Sequence, residues 1–268
     1  MNKFVRTLIL LSLGWAPLTF AQLAVPSAEG LTYGHVHLNV SDVALHQKLW
    51  VELFDAEVVS KGPLTAIKFP NMIILLRENP PTMGSRQTVM DHFGFKVRNI
   101  ETFLARWRAA GYPVESEFIG SEGQKNAYVM MPDDVYVELQ EDQSLHVEVM
   151  GYHVHYFTDQ YQELLQWYTR VFDLETRPRG RIETTTNVPG MNLSFGNSRT
   201  PRVGTQGAAI DHIGFEVDDL EAFVARLAAK GIELDSPIRE IPAIGLKIAF
   251  LTDPQGVYIE LTEGLDDY

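Results

Sequence analysis

The sequence predicts an α+β chain of four βαβββ modules in an ABAB order, on two observations. First, strand-like alternation precedes helical periodicity at four places: GHVHLNV from Gly34, DHFGFKV from Asp91, GYHVHYF from Gly151 and IDHIGFEV from Ile210. Second, these stretches are internal repeats. DHFGFKVRNIETFLARWRAAG and DHIGFEVDDLEAFVARLAAKG share Asp, His, Gly, Phe, Val, Glu, Phe, Ala, Arg, Ala and Gly in register, and KNAYVMMPDDVYVEL aligns with KIAFLTDPQGVYIEL. His-Val-His recurs at 35–37 and 153–155, each copy the same distance ahead of a helix aromatic, Trp50 or Tyr168.

The 268 residues, 45% of them apolar, suffice for two compact domains. Residues 1–21 read as a signal peptide: Lys3 and Arg6 form a basic n-region, Leu8 to Phe20 is mostly apolar, and Thr19-Phe20-Ala21 offers a cleavage site. That run is too short, and too interrupted by Gly14 and Pro17, for a membrane span. The expectation is a secreted or periplasmic protein with no membrane contact after cleavage. A net charge of −13 argues against nucleic acid and anionic lipid as partners. With no cysteine, disulfides, thiolate ligands and thiol nucleophiles are excluded.

Residues 22–32 read as a linker, 33–146 as an N-terminal domain and 147–268 as a C-terminal domain. In the first module the alternation places His35, His37 and Asn39 on one face of a strand. Ser41 or Asp42 can cap the next helix, whose stripe is Val43, Leu45, Leu49, Trp50 and Leu53. Strands are predicted at 56–60, 65–69 and 72–76, and a polar break at 79–85 closes the module. The second module has a helix from about Ile100 to Ala110, stopped by Gly111, then strands near 127–131 and 135–140. In the third a helix lies near Tyr161–Phe172, with strands near 175–178, 181–186 and 191–195. The fourth carries a helix over Leu220–Lys230 and the closing run DPQGVYIEL. His212, Gly214 and Glu216 share a face of its first strand, and Tyr258, Glu260 and Thr262 share a face of its last, so a histidine and a carboxylate can meet inside a curved sheet.

His-x-Gly-Phe-x-Val first strands and a V-Y-x-E-L closing strand, within four βαβββ modules, resemble the vicinal oxygen chelate superfamily, which includes glyoxalase I, extradiol dioxygenases and bleomycin-resistance proteins. The resemblance covers nearly all of Tyr33 to Gly264. It implies two open mixed β-barrels with helices outside, and metal ligands on the first and last strands of the modules. Carried over residue by residue, the first-strand position falls on His35, His92, His153 and His212, and the last-strand carboxylate on Glu138 and Glu260. Each A+B pair thus supplies two histidines and one glutamate, a set suited to a divalent transition metal: Fe2+ first, with Mn2+, Zn2+ or Ni2+ as alternatives.

Two pairings satisfy the pattern. Pairing within halves gives His35/His92/Glu138 and His153/His212/Glu260; crossed pairing gives His35/His212/Glu260 and His153/His92/Glu138. Short A-to-B connections favour the first. In two-domain extradiol enzymes, as the resemblance implies, usually only the C-terminal half keeps its metal. His37 and His155 face the same way as the ligands and are candidates for partners of the ligands, proton carriers or spare ligands, although a histidine on the polar face of a strand is often simply solvated. Tyr136 and Tyr258 face the same way as the glutamates, as barrel-filling aromatics also do, and Tyr128 and Tyr258 join His37 and His155 as catalytic candidates.

The extradiol pattern is incomplete. Asp253, Pro254, Gly256 and Glu260 match it, but Phe250 stands at its tyrosine position and no histidine lies in 241–243. In the first half Tyr128 fills the tyrosine position, Asp134 replaces the glycine and the histidine is again missing. Arg177, Arg179 and Arg181 with Thr184–Thr186 either line the mouth of the third module against an acidic substrate or form a solvated hairpin, the reading preferred here. Met130, Met131 and Met191 read as core filler. The expectation is therefore an exported, metal-dependent dioxygenase-like enzyme acting on a small organic substrate with vicinal oxygens. A glyoxalase-like lyase or isomerase and a bleomycin-resistance-type binding protein are the alternatives, and homo-oligomers are compatible with all three.

Overall fold

The computed structural model describes residues 23–266, so the signal-peptide expectation lies outside the described residues. Module one comprises β1 (Leu31–Val40), α1 (Val43–Phe54), β2 (Glu57–Lys61), β3 (Leu64–Phe69) and β4 (Met72–Glu78). Module two comprises β5 (Met90–Val97), α2 (Ile100–Ala109), β6 (Val114–Ile119), β7 (Lys125–Met131) and β8 (Val135–Glu141). Module three has β9 (Val149–Phe157), α3 (Tyr161–Val171), β10 (Thr185–Val188) and β11 (Met191–Gly196). Module four has β12 (Ile210–Val217), α4 (Leu220–Ala229), β13 (Ser236–Ile241), β14 (Leu246–Thr252) and β15 (Tyr258–Glu263).

The strands form two mixed sheets, ordered β13-β14-β15-β12-β1-β4-β3-β2 and β10-β11-β9-β5-β8-β7-β6. The α+β expectation of curved mixed sheets with outer helices holds. Pairing within halves does not: β1 pairs antiparallel with β12 and β5 with β9, so modules one and four share a sheet, as do two and three. A cut between residues 146 and 147 therefore separates partners in both sheets. The link from β8 to β9, residues 142–148, is shorter than the A-to-B links at 79–89 and 197–209, and consecutive elements with the shortest link are the ones that pair.

Modules of one half do meet, but through their helices. Trp50 of α1 packs on Phe93 and Phe95 of β5, and Phe54 on Phe103 and Trp107 of α2. In the other half Phe172, just past α3, meets Phe215 of β12 and Phe223 of α4. The apolar side of every first strand feeds this single core, which leaves the polar side for the interior of each sheet. Of the two caps expected at α1 the structure uses Asp42, and Asn99 and Asp219 cap α2 and α4. Val43 and Leu45 are only partly buried, whereas His46 and Phe54 complete the buried stripe of α1.

Two local expectations change. β1 begins at Leu31, so the end of the linker is strand, held by Leu31 and Thr32 pairing with Val217 and Glu216. The strands expected at 175–178 and 181–186 are largely replaced by a loop. There Gly180 takes φ +56°, Arg179 and Ile182 bridge each other, and Arg179 turns inward.

Candidate metal centres

Each sheet holds one His-His-Glu set, and in the seven-stranded sheet His155 lies close enough to be a fourth ligand. In the eight-stranded sheet His35 Nε2 and His212 Nε2 stand 2.9 and 3.0 Å from the same oxygen, Glu260 Oε2. In the seven-stranded sheet His92 Nε2 and His153 Nε2 stand 3.0 and 3.1 Å from Glu138 Oε2. The register explains why. His212 and Glu260 sit on the parallel neighbours β12 and β15, where Gly214 lies opposite Glu260, and the antiparallel β1 brings His35 opposite Gly214. An added Cβ at Gly214 would fall 2.0 Å from His35 Cε1, and one at Gly94 2.2 Å from His153 Cε1. The glycine of each His-x-Gly strand is thus the seat of the partner module's histidine ring. All six ligand candidates are buried and are brought together as the crossed sets.

The preceding aspartates orient two of the rings. His212 Nδ1 donates to Asp211 Oδ1 at 2.6 Å, and His92 Nδ1 donates to Asp91 Oδ1 at 2.7 Å. That leaves each Nε2 lone pair for the centre once its proton is displaced. Asp211 Oδ2 accepts from Asn39 Nδ2 and the Gly207 amide, and Asp91 Oδ2 from Arg202. The doubled Asp-His dipeptide was visible in the sequence, but its role needs the ring nitrogen's position.

The electrostatics of both triads call for a cation. Burial opposes ionisation of Glu260, yet bonds from His212 and His35 hold its carboxyl well below the usual range, and Glu138 behaves alike through His153 and His92. Burial also disfavours charge on His212 and His92, but the paired carboxylates outweigh it and push both up to about 9. Burial lowers His35, and lowers His153 to about 4, so each centre also holds a neutral imidazole. Two imidazole nitrogens and one carboxylate converging in a buried site fit a divalent transition metal, which would occupy the position where a proton now holds the charges together.

The other candidates divide between the centres. His37 pairs in register with His212, their rings 4.5 Å apart, and its buried Nε2 has no partner among the described residues. His155 pairs with His92, its ring stacked on Phe157 at 4.3 Å. Burial, with His212 adding to it, lowers His37 to about 3, and burial with His92 keeps His155 well below its ordinary value. Tyr128 donates to Glu138 Oε2 at 3.2 Å and stacks on Tyr136. Tyr258 stacks on Phe250 at 4.8 Å beside His212.

A cavity of about 490 Å³ opens on the His212 centre, its wall including His37, His212, Tyr258 and Glu260. Larger hollows of about 640 and 770 Å³ hold none of the six ligand candidates. On the His92 side Arg179 is buried: 7% exposed, it donates to Ser194 Oγ, stands 3.5 Å from Glu122 and lies over the Tyr152 ring. The solvated reading of the arginines thus holds for the exposed Arg177 and Arg181 and fails for Arg179.

Residues 152–261 match the family model of the Glyoxalase/Bleomycin resistance protein/Dioxygenase superfamily. A search of curated proteins returned no match. Among solved structures, glyoxalase I from Zea mays superposes with a TM-score of 0.67 at 16% identity, covering 88% of this chain and 93% of that one. A putative dioxygenase from Bacillus subtilis superposes with a TM-score of 0.66 at 11% identity, covering 91% and 86%. At these identities the structures establish a shared fold over both halves. The superfamily resemblance seen in the module strands is borne out.

Proposed function

We propose that this chain, which carries the glyoxalase, bleomycin resistance and dioxygenase fold, is an exported metal-dependent enzyme whose working centre is His35, His212 and Glu260. Its substrate is a small organic molecule with vicinal oxygens. The observation that carries the reading is the opening of this triad onto a 490 Å³ cavity, within the size range of small-molecule sites. Export rests on the leader pattern at residues 1–21. A divalent transition metal, Fe2+ first, would supply Lewis-acid polarisation of the substrate oxygens there.

The chain's own groups supply the rest. Asp211 holds the His212 ring in place, and Asn39 and Gly207 hold Asp211. His37 lines the cavity and its Nε2 has no partner among the described residues, so it can accept a hydrogen bond from a substrate hydroxyl. Phe250 and Tyr258 form an aromatic wall beside the triad that shields the substrate from water. Three protein ligands leave room for both substrate and O2, which makes dioxygenase chemistry the first reading and lyase or isomerase chemistry the second.

The test is elemental analysis of anaerobically purified wild type, His212→Ala and His92→Ala, with O2 uptake followed across a substrate screen. Expected are bound metal in the wild type, loss of turnover by roughly 100-fold or more in His212→Ala, and turnover kept in His92→Ala. Product formed without O2 uptake would move the chemistry to the lyase or isomerase class. A wild type that holds no metal and takes up none on reconstitution would sink the enzyme reading in favour of ligand sequestration.

A further inference from the structure

We propose that the cavity at the His212 centre takes an apolar organic anion, with Arg77 and Arg239 as the groups that hold its acid. The proposal deepens the functional reading above and rests on it for the fate of the ligand's oxygen-bearing end. Arg77 lies at the end of β4 and Arg239 on the edge strand β13; both are exposed and both line the cavity that holds His212 and Glu260. Neither has a hydrogen bond or ion pair with any carboxylate among the described residues. The acids on the cavity wall are committed elsewhere, Glu260 to two histidines and Asp211 to His212, Asn39 and Gly207.

What sets these two arginines apart is that both line the mouth of one cavity. Two guanidiniums at one mouth focus a positive field into it and offer forked donors to a carboxylate or phosphonate. Between rim and metal ligands Leu64, Leu75, Leu246, Ile248 and Leu265, of a cluster separate from the main core, form an apolar part of a lining that also includes Asn79, Gln206 and Thr262. Such a surface recovers free energy only when an apolar body covers it. The ligand the cavity fits therefore carries an acidic group, an apolar stretch and the chelating oxygens.

Isothermal titration with 3-phenylpropanoate and 3-phenylpropanol tests this, because the two share an apolar body and differ in charge. It is run on metal-loaded and metal-free wild type and on the Arg77→Gln/Arg239→Gln double variant. The acid is expected to bind wild type roughly tenfold tighter than the alcohol, with or without metal. In the double variant that preference should vanish while the alcohol's affinity stays. Equal affinities in wild type, a preference that survives the double variant, or no binding of the acid would each overturn the proposal. Retained acid preference in a protein that never holds metal would sink the functional reading and leave this one standing; bound metal without the preference would do the reverse.

Discussion

At Glu138 both carboxylate oxygens are taken by protein: Asn126 donates to Oε1 at 2.5 Å, Tyr128 to Oε2 at 3.2 Å, and both histidines crowd Oε2. At Glu260 the same two strand positions hold Ile248 and Phe250, and no donor among the described residues reaches Oε1. The opposite wall repeats the contrast. Asn192 and Ser194 stand beside His153 and His155, where Ile73 and Leu75 stand beside His35 and His37. One interior is polar and holds a buried arginine; the other is apolar and hollow. Two His-His-Glu sets of like spacing thus differ in their surroundings, the set in the seven-stranded sheet also having His155 within ligand reach. A carboxylate already satisfied by fixed donors gains less from a metal.

The largest test of this contrast is to exchange the donors. Ile248→Asn with Phe250→Tyr gives Glu260 the partners of Glu138 and should weaken metal binding at the His212 centre about 10- to 100-fold, read by competition with a chelator. Unchanged affinity would mean that the donors are not what separates the centres. The crossed assembly is tested by the glycines. Gly214→Ala should displace the His35 ring and cost about 1–3 kcal/mol in denaturant unfolding, with metal lost from the His212 centre alone. Gly94→Ala should do the same to His153 at the other centre. A Gly214→Ala variant that disturbed the His153 side instead would break the assignment.

The smallest effect concerns position 216, where the His212 sheet has a glutamate and the His92 sheet has Lys96 at the matching place, paired with Asp142 at 2.8 Å. Burial raises Glu216 to about 7, against the lowering effect of its bond from Thr262. A carboxyl raised on folding favours the folded state fully below its unfolded pKa, and that contribution fades as pH climbs from about 4.5 through about 7. Wild type should therefore lose about 2 kcal/mol between roughly pH 5 and 7 relative to Glu216→Gln. Parallel stability profiles would refute the assignment.

Much of this was legible in the chain. Alternation set which face of each first strand is polar, and repetition placed four histidines and two glutamates at equivalent positions, so module count and the candidate ligand positions followed. His-x-Gly also carried an unread signal, since a glycine opposite a ring marks the strand that the partner histidine must cross. Arg179 lay beyond sequence reasoning, because a charged residue in a loop reads as solvated until Ser194, Glu122 and Tyr152 surround it.

By itself the sequence determined the modules, their polar and apolar faces and the chemistry of each ligand, because these depend on periodicity and residue type within a dozen positions. Only the tertiary structure decided which histidines share a glutamate and which cup stays open. Strand order and filled volume depend on residues far apart in the chain: β1 reaches β12 across more than half its length, and no local pattern records which distant side chain occupies the space between them.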